Sequence, residues 1–359
     1  MRGAARLPGC PLSNLLSQSL ATLSGVWESL TMKILVPYGD DIVEQIREAV
    51  ASHAEIIQSK RTAEDMLDKG SDAVAVASGR VPGEYIRQAE QLRMIQAFGA
   101  GIDKIDLDAV RERGDVFVCN SHINAAEVAE YAVMLLLALT KNIIVNDREL
   151  RKGDWRYGWG GPRPNIEIRR KKALIIGLGS VGSELAKRLR CFNLHVTAVT
   201  RSGQSPHAHL VDNLSDPTSL PEAVSSTDFV FLTLPLTKDT YRLVDDEFLS
   251  WMKTTAILVN VSRAAIVDEE PLFHALEEER IHGAALDVWW DYPREWGGSG
   301  VPPSERFPFH ELNNIVVSPH RAAYSEHIMR DQIRFVGENL LRFTRGETPL
   351  NIIDLDLGY

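Results

Sequence analysis

From Met32 onward, apolar residues gather in short runs separated by stretches in which they recur at helical spacing. "KILVPY" (33–38), "DAVAVA" (72–77) and "LRMIQA" (92–97) have the length and composition of strands. "DDIVEQIREAVASH" (40–53) reads as a polar helix with a narrow apolar stripe. Such alternation predicts an α/β architecture with a parallel sheet. Residues 124–142, "NAAEVAEYAVMLLLALTKN", form one long helix, nearly all apolar in its second half. A helix of that kind must be covered on more than one side, by another domain or a second subunit.

A second series of strands follows: "KALIIGLG" (172–179), "HVTAVT" (195–200), "DFVFLTLP" (228–235), "AILVNVS" (256–262), "GAALDVW" (283–289) and "NIVVSPH" (314–320). Their near-continuous apolar character suits a sheet with helices on both faces. After His320 come one more helix, "SEHIMRDQIRFVGENLLRFTRGE" (325–347), and a tail, neither with a strand partner of its own. Both are expected to return to the first domain. The expected fold is therefore α/β, with two Rossmann-like, doubly wound parallel sheets. A discontinuous first domain covers residues 32–123 plus 322–359, and a dinucleotide-binding domain covers 124–321.

At 359 residues and 44% hydrophobic, the chain is long enough for two cores. A net charge of -10 argues against a general nucleic-acid binder, since phosphate affinity rests on clustered Lys and Arg. Cys10, Cys119 and Cys191 are widely spaced and form no CxxC, so neither a disulfide framework nor a zinc site is expected, and a reducing, cytoplasmic setting fits. The longest apolar run, "AVMLLLAL" (132–139), falls far short of the roughly 20 residues that span a bilayer. Residues 1–31 contain Arg2, Arg6, many serines and no acid before Glu28. They read as an unstructured extension ahead of a strand beginning at Met32, or as an organellar leader.

"GLGSVG" (177–182) is a GxGxxG preceded by a strand and followed by an amphipathic helix, the context that makes it a dinucleotide site. Gly177 would permit the tight turn, Gly179 the approach of pyrophosphate and Gly182 the close helix–strand packing. An NAD site would place an acid about 20 residues further on, to hold the ribose hydroxyls. The chain has Thr200, Arg201 and Ser202 there instead. An arginine fork with two hydroxyls suits a 2'-phosphate, so NADP(H) is the expected cofactor and NAD(H) the alternative. "HAH" (207–209) has no third ligand nearby and is not expected to bind metal.

Three strand ends carry further chemistry: Arg263 after "AILVNVS", Asp287 within "GAALDVW" and His320 after "NIVVSP". Reducing a 2-keto acid needs a cation shaped for the carboxylate, which Arg263 suits, and a proton donor for the developing alkoxide, which His320 suits.

With these residues in place, the chain resembles the D-isomer-specific 2-hydroxyacid dehydrogenases from Met32 to Tyr359. The resemblance includes "AFGAGIDKIDLDAV" (97–110), "NAAEVAEYAVMLLLAL", "RKGDW" (151–155), "LIIGLGSVG", "LPLTKDT" (234–240), "VNVSRAAIVDEEPL" (259–272), "GAALDVW", "SPH" (318–320) and "GENLLRFTRGE", in the family's order. It implies two domains across a cleft and a homodimer formed through the long helix. It makes Arg263 the substrate-carboxylate residue and His320 the acid/base, with the backbone of Gly99, Ala100 and Gly101 cradling the same carboxylate. Gly177, Gly179, Ser180, Val181 and Gly182 would hold the cofactor, with Leu234, Pro235, Thr240 and Val261 lining it and Asp287 meeting the nicotinamide. "TRS" (200–202) is similar to NADP-using hydroxypyruvate reductases of the family. The expected activity is NADPH-dependent reduction of a small 2-keto acid such as glyoxylate or hydroxypyruvate to the D-2-hydroxy acid.

One departure stands out. The family usually reads DVFxxEP, with the Glu as partner of the catalytic His, whereas this chain has Tyr292 there and Asp291 one residue earlier. Asp291 reaches His320 only if an irregular loop swings it inward, since neighbours in extended chain point opposite ways. Tyr292 would be a neutral partner. Asp291 is carried as the expected partner and Tyr292 as the alternative. A neutral partner also occurs in related formate dehydrogenases, which keeps oxidation of a small anion such as formate or phosphite open. So does a third role, because the family includes corepressors that use this fold as a cofactor-sensitive dimer.

Overall fold

A computed structural model of the protein describes residues 32–293 and 298–359. The extension or leader expected over 1–31 lies outside the described residues. Of the described residues, 32–123 together with Glu326–Tyr359 form one compact unit, and those within Asn124–Ser325 form a second.

The first unit runs β1 (Lys33–Val36), α1 (Asp40–Val50), β2 (Glu55–Gln58), α2 (Ala63–Gly70), β3 (Ala75–Ala77), α3 (Gly83–Gln88), β4 (Met94–Gln96), α4 (Leu107–Arg113) and β5 (Phe117–Cys119). Its five strands are all parallel, in the order β2-β1-β3-β4-β5. Alternate strand residues face opposite layers. Leu35, Val76, Ile95 and Val118 pack with Met66, Ile86 and Val110, whereas Ile34, Val36, Ala75 and Met94 pack with Val43 and Ile46 of α1 and with Val336, Leu340 and Phe343. These last three belong to the final helix of the chain.

The second unit contains α5 (Ala125–Thr140), α6 (Ile143–Leu150), β6 (Lys172–Ile176), α7 (Ser180–Cys191), β7 (His195–Val199), β8 (Asn213–Ser215), α8 (Leu220–Ser225), β9 (Phe229–Leu232), α9 (Asp246–Trp251), β10 (Ile257–Asn260), α10 (Glu269–Glu277), β11 (Gly283–Leu286) and β12 (Ile315–Val317). The returning helix, α11 (Ile328–Thr344), follows. The seven strands are parallel in the order β12-β11-β10-β9-β6-β7-β8, so the direction of winding reverses between β6 and β9. β9, β10 and β11 are buried along their whole length. One face meets α5 and α7 through Ile175, Phe231 and Val259. The other meets α9 and α10 through Leu174, Val230 and Leu258. This is the two-sided burial that the apolar runs require.

The strands absent from the sequence reading, β2, β5 and β8, all lie at sheet edges. β2 and β8 are half exposed and partly polar ("EIIQ", "NLS"), so neither carries a buried-strand signature. β5 is only three residues long, and the C-terminal tail covers it. Ile352 forms an antiparallel bridge with Cys119, and Ile353 N–H donates to the Val118 carbonyl at 2.8 Å. Among the described residues no single helix is long and apolar enough to cross a membrane, although α5 and α6 pass that test together across a 61° bend.

α11 and the tail are joined to β4 by a buried polar contact. Asn339 and Gln96 are both fully buried, and Asn339 Nδ2 donates to Gln96 Oε1 at 2.5 Å and to the Leu350 carbonyl at 3.1 Å. Asn339 Oδ1 accepts from Leu350 N–H at 2.6 Å. Asn339→Leu would strand these partners in a dry site, and a loss of about 2–3 kcal/mol is expected. A lower urea midpoint would register that loss, and an unchanged midpoint would show that the contact carries no stability.

Candidate active site

The loop after β6 sits at the reversal of winding, where open α/β sheets bind ligands. Gly177 has φ +101°, and a Cβ there would lie 2.8 Å from the Thr233 carbonyl oxygen. Its N–H donates to Val199 at 2.9 Å and its carbonyl accepts from Thr233 Oγ1 at 2.7 Å, which pins it between the ends of β7 and β9. A Cβ on Gly182 would lie 2.1 Å from the Gly177 oxygen, whereas one on Gly179 would meet nothing within 4 Å. Two glycines therefore permit close packing, and the third opens to solvent. No side chain caps α7, whose first turn contains Ser180 and Val181. Its N–H groups and partial positive charge are left for an anion such as pyrophosphate, and this arrangement fits a dinucleotide.

Past β7, Thr200 turns the chain by accepting Gly203 N–H at 3.1 Å, leaving Arg201 and Ser202 exposed in a loop without a carboxylate. Past β9, Leu234 is half-buried, and Thr240 Oγ1 donates to the Pro235 carbonyl at 2.7 Å and accepts Thr237 N–H at 2.8 Å, closing that loop on itself. Val261 is buried past β10.

Arg263 follows β10 through a turn built by Asn260, which is 1% exposed. Asn260 Oδ1 accepts Ser262 N–H at 3.0 Å and Ser262 Oγ at 2.8 Å, while its Nδ2 donates to the Arg263 carbonyl at 3.0 Å. Arg263 is half-buried, with Nη1 donating to the Ser262 carbonyl at 2.8 Å.

His320 follows β12 in a tight reversal. Its N–H donates to the Ser318 carbonyl at 3.0 Å across Pro319, and its φ is +55°, a left-handed conformation that a residue with a Cβ adopts at a cost of about 1–2 kcal/mol. Asp287, expected against the nicotinamide, is 1% exposed and directs its carboxylate to this reversal. Oδ1 accepts Ser318 Oγ at 2.5 Å and Arg321 N–H at 2.8 Å, and Oδ2 accepts Ala322 N–H at 2.8 Å. Trp289 Nε1 donates to the Ser318 carbonyl at 2.7 Å.

The stretch after β11 decides between the two candidate partners of His320. Tyr292 lies with its hydroxyl 2.7 Å from His320 Nδ1. Asp291 Oδ2 instead accepts the Glu305 N–H at 2.8 Å. The expectation for Asp291 is therefore corrected. The chain turns so that the Tyr292 hydroxyl also accepts Trp289 N–H at 3.1 Å, and this turn sends the adjacent carboxylate the other way. Trp290 completes the anchoring, stacked on Phe309 with ring centroids 5.3 Å apart.

In the first unit, the Gly99–Gly101 loop follows β4. Ser121 N–H donates to the Gly99 carbonyl at 3.2 Å and Asn120 Nδ2 to the Ala100 carbonyl at 3.0 Å. Among the described residues the amides of Gly99, Ala100 and Gly101 donate to no protein acceptor, as an anion nest requires. Sequence reasoning passed over Asn260, Ser318 and Trp289. A polar residue closing an otherwise apolar strand, as in "ILVN" and "VVS", is the signal that points to the first two. Among the described residues, no three His, Cys, Asp or Glu side chains gather as a metal would need.

Residues 133–322 match the model of the D-isomer specific 2-hydroxyacid dehydrogenase NAD binding domain. A glyoxylate reductase of Korarchaeum cryptofilum is 31% identical over 292 residues, 80% of this chain and 84% of that protein. A D-3-phosphoglycerate dehydrogenase of Methanocaldococcus jannaschii is 31% identical over 90% of this chain, which spans only 60% of that relative's length. Among solved structures, an NADPH-dependent glyoxylate/hydroxypyruvate reductase from Sinorhizobium meliloti in complex with NADP and malonate aligns with TM-score 0.74 at 25% identity, covering 91% of this chain and 98% of that one.

The cofactor loop makes a direct prediction. Gly182→Val places atoms where the Gly177 carbonyl already lies, so α7 must shift, and dinucleotide affinity is expected to fall at least about tenfold as the phosphates lose their amides. Fluorescence titration with NADPH and NADH measures this, and wild-type affinity in the variant would refute the placement.

Proposed function

The chain belongs to the D-isomer specific 2-hydroxyacid dehydrogenase family, and from that premise we propose that it reduces a small 2-keto acid, of glyoxylate or hydroxypyruvate size, to the D-2-hydroxy acid with NADPH. The observation that carries the reading is the pairing of His320 Nδ1 with Tyr292, in the same unit as Arg263 and the glycine loop. The Tyr292 hydroxyl, which accepts Trp289 N–H, can either donate to Nδ1 or accept from Nδ1–H, so this pairing accommodates both the neutral and the protonated ring. When the ring is protonated, the hydroxyl turns and accepts from Nδ1–H.

In the proposed reaction Arg263 holds the substrate carboxylate through two parallel hydrogen bonds and so orients the carbonyl. Protonated His320 delivers its Nε2 proton to the carbonyl oxygen as negative charge develops there, leaving a neutral ring whose Nδ1–H donates to the Tyr292 hydroxyl. The nicotinamide, when bound, supplies the hydride. Hydroxypyruvate and glyoxylate are drawn from the relatives named glyoxylate reductase and glyoxylate/hydroxypyruvate reductase. The preference for NADPH rests on Arg201 and the two hydroxyl residues beside it, with NADH as the poorer donor. We also propose a homodimer, since Met134, Ile143, Ile144, Leu150, Trp155 and Trp159 expose apolar surface within one segment of the second unit.

Three outcomes test the reading. Arg263→Ala is expected to lower kcat/KM for glyoxylate about 10²- to 10³-fold, the cost of roughly 3–4 kcal/mol of lost ion pairing; an unchanged value would remove Arg263 from the mechanism. Arg201→Ala is expected to lower kcat/KM with NADPH at least about tenfold more than with NADH, and equal losses would remove the phosphate-binding role. Light scattering is expected to find one species of two chains, and a monomer would refute the dimer.

A further inference from the structure

Two consecutive residues of α5, neither used by the proposed chemistry, reach different parts of the site. Glu130 Oε1 accepts from Arg188 Nη2 at 2.7 Å, on α7, the helix whose N-terminus follows the glycine loop. Tyr131 places its hydroxyl 2.8 Å from Ser318 Oγ, two residues before His320.

The chemistry of the three oxygens fixes the direction of the second link. Ser318 Oγ lies 2.5 Å from an Asp287 carboxylate oxygen and is its donor. The serine hydroxyl has one proton, so towards Tyr131 it offers only lone pairs, and the tyrosine must donate. The result is a directional chain from Tyr131 through Ser318 to Asp287. The same carboxylate accepts the amides of Arg321 and Ala322 on the far side of His320. Ser318 is 6% exposed, so water cannot readily replace the phenol. The Tyr131 ring packs against the cluster formed by Val128, Leu135, Leu185 and Ile175, which ties the hydroxyl to the rigid core between α5, α7 and the sheet. Packing alone would be served by phenylalanine, and the hydroxyl is spent on Ser318.

We infer that Tyr131 is a positioning residue for His320: through Ser318 and Asp287 it holds the 318–322 reversal, and α5 thereby sets the catalytic histidine against the cofactor helix. The inference rests on the reading of His320 as the acid/base. Its effect on the loop, however, is measurable without turnover.

The test compares Tyr131→Phe, Ser318→Ala and the double variant with wild type, all as the full chain. In Tyr131→Phe, hydrogen exchange at the Arg321 and Ala322 amides is expected to speed up on the order of tenfold. In the same variant kcat for hydroxypyruvate is expected to fall about tenfold, with the KM for NADPH changed less than about twofold and the kcat–pH profile displaced. The double variant is expected to be no worse than Ser318→Ala, since Tyr131 acts only through that serine. Wild-type exchange in Tyr131→Phe overturns the inference. So does faster exchange with an unaltered kcat and pH profile, which would make the hydroxyl merely structural, and so do fully additive losses. If the wild-type protein turns over no 2-keto acid, the proposed function fails on its own, and the exchange rates still decide whether Tyr131 holds the loop.

Discussion

Burying the Asp287 carboxylate beneath residues 318–322 is the constraint on which the His320 end of the second unit rests. A charge 1% exposed is tolerable only when its oxygens are met by donors, and three converge on it: a serine hydroxyl and two backbone amides. Hydrogen bonds to a charged group contribute about 1.5–3 kcal/mol each, enough to hold His320 in a left-handed conformation that costs about 1–2 kcal/mol. Carboxylate and loop thus fix one another. Asp287 would be uncompensated without the reversal, and the reversal would relax without Asp287. The aromatic residues that follow extend the same clamp, Trp289 by holding the Ser318 carbonyl and Tyr292 by engaging the ring itself.

The rest of the site follows from the parallel sheet. Parallel strands bring all their carboxyl ends to one edge, so Gly177, Thr233, the Asn260–Arg263 turn, Asp287 and His320 arise on separate strands but share that edge. Where the winding reverses, between β6 and β9, the glycine loop presents the open end of α7. α5 packs across the same layer and contacts both α7 and the histidine loop. β9, β10 and β11, which lead to Thr233, the Asn260–Arg263 turn and Asp287, are buried along their whole length, whereas β12, which leads to His320, is a partly exposed edge strand.

What was legible in the sequence was whatever carried a period or a local motif. The inner strands announced themselves as apolar runs, and the glycine loop was readable because a strand precedes it and a helix follows. Edge strands β2 and β8 were not, because one-sided burial leaves a mixed pattern that loops also show. The partner of His320 was beyond sequence reasoning for a different reason. Asp291 and Tyr292 are adjacent, and which one turns inward is set by a hydrogen bond from Trp289 N–H to the Tyr292 hydroxyl, a tertiary detail with no periodic signature. Tyr131 was hidden by distance, since 187 positions separate it from the serine it meets.

The proposed reaction delivers hydride to one face of a 2-keto acid whose oxygen receives its proton from His320. Reduction of hydroxypyruvate with NADPH carrying deuterium at the transferable C4 position, followed by chiral analysis and mass spectrometry of the product, tests this most directly. D-glycerate with one deuterium at C2 is expected. Unlabelled product, L-glycerate, or no reduction by the folded wild-type protein would contradict it.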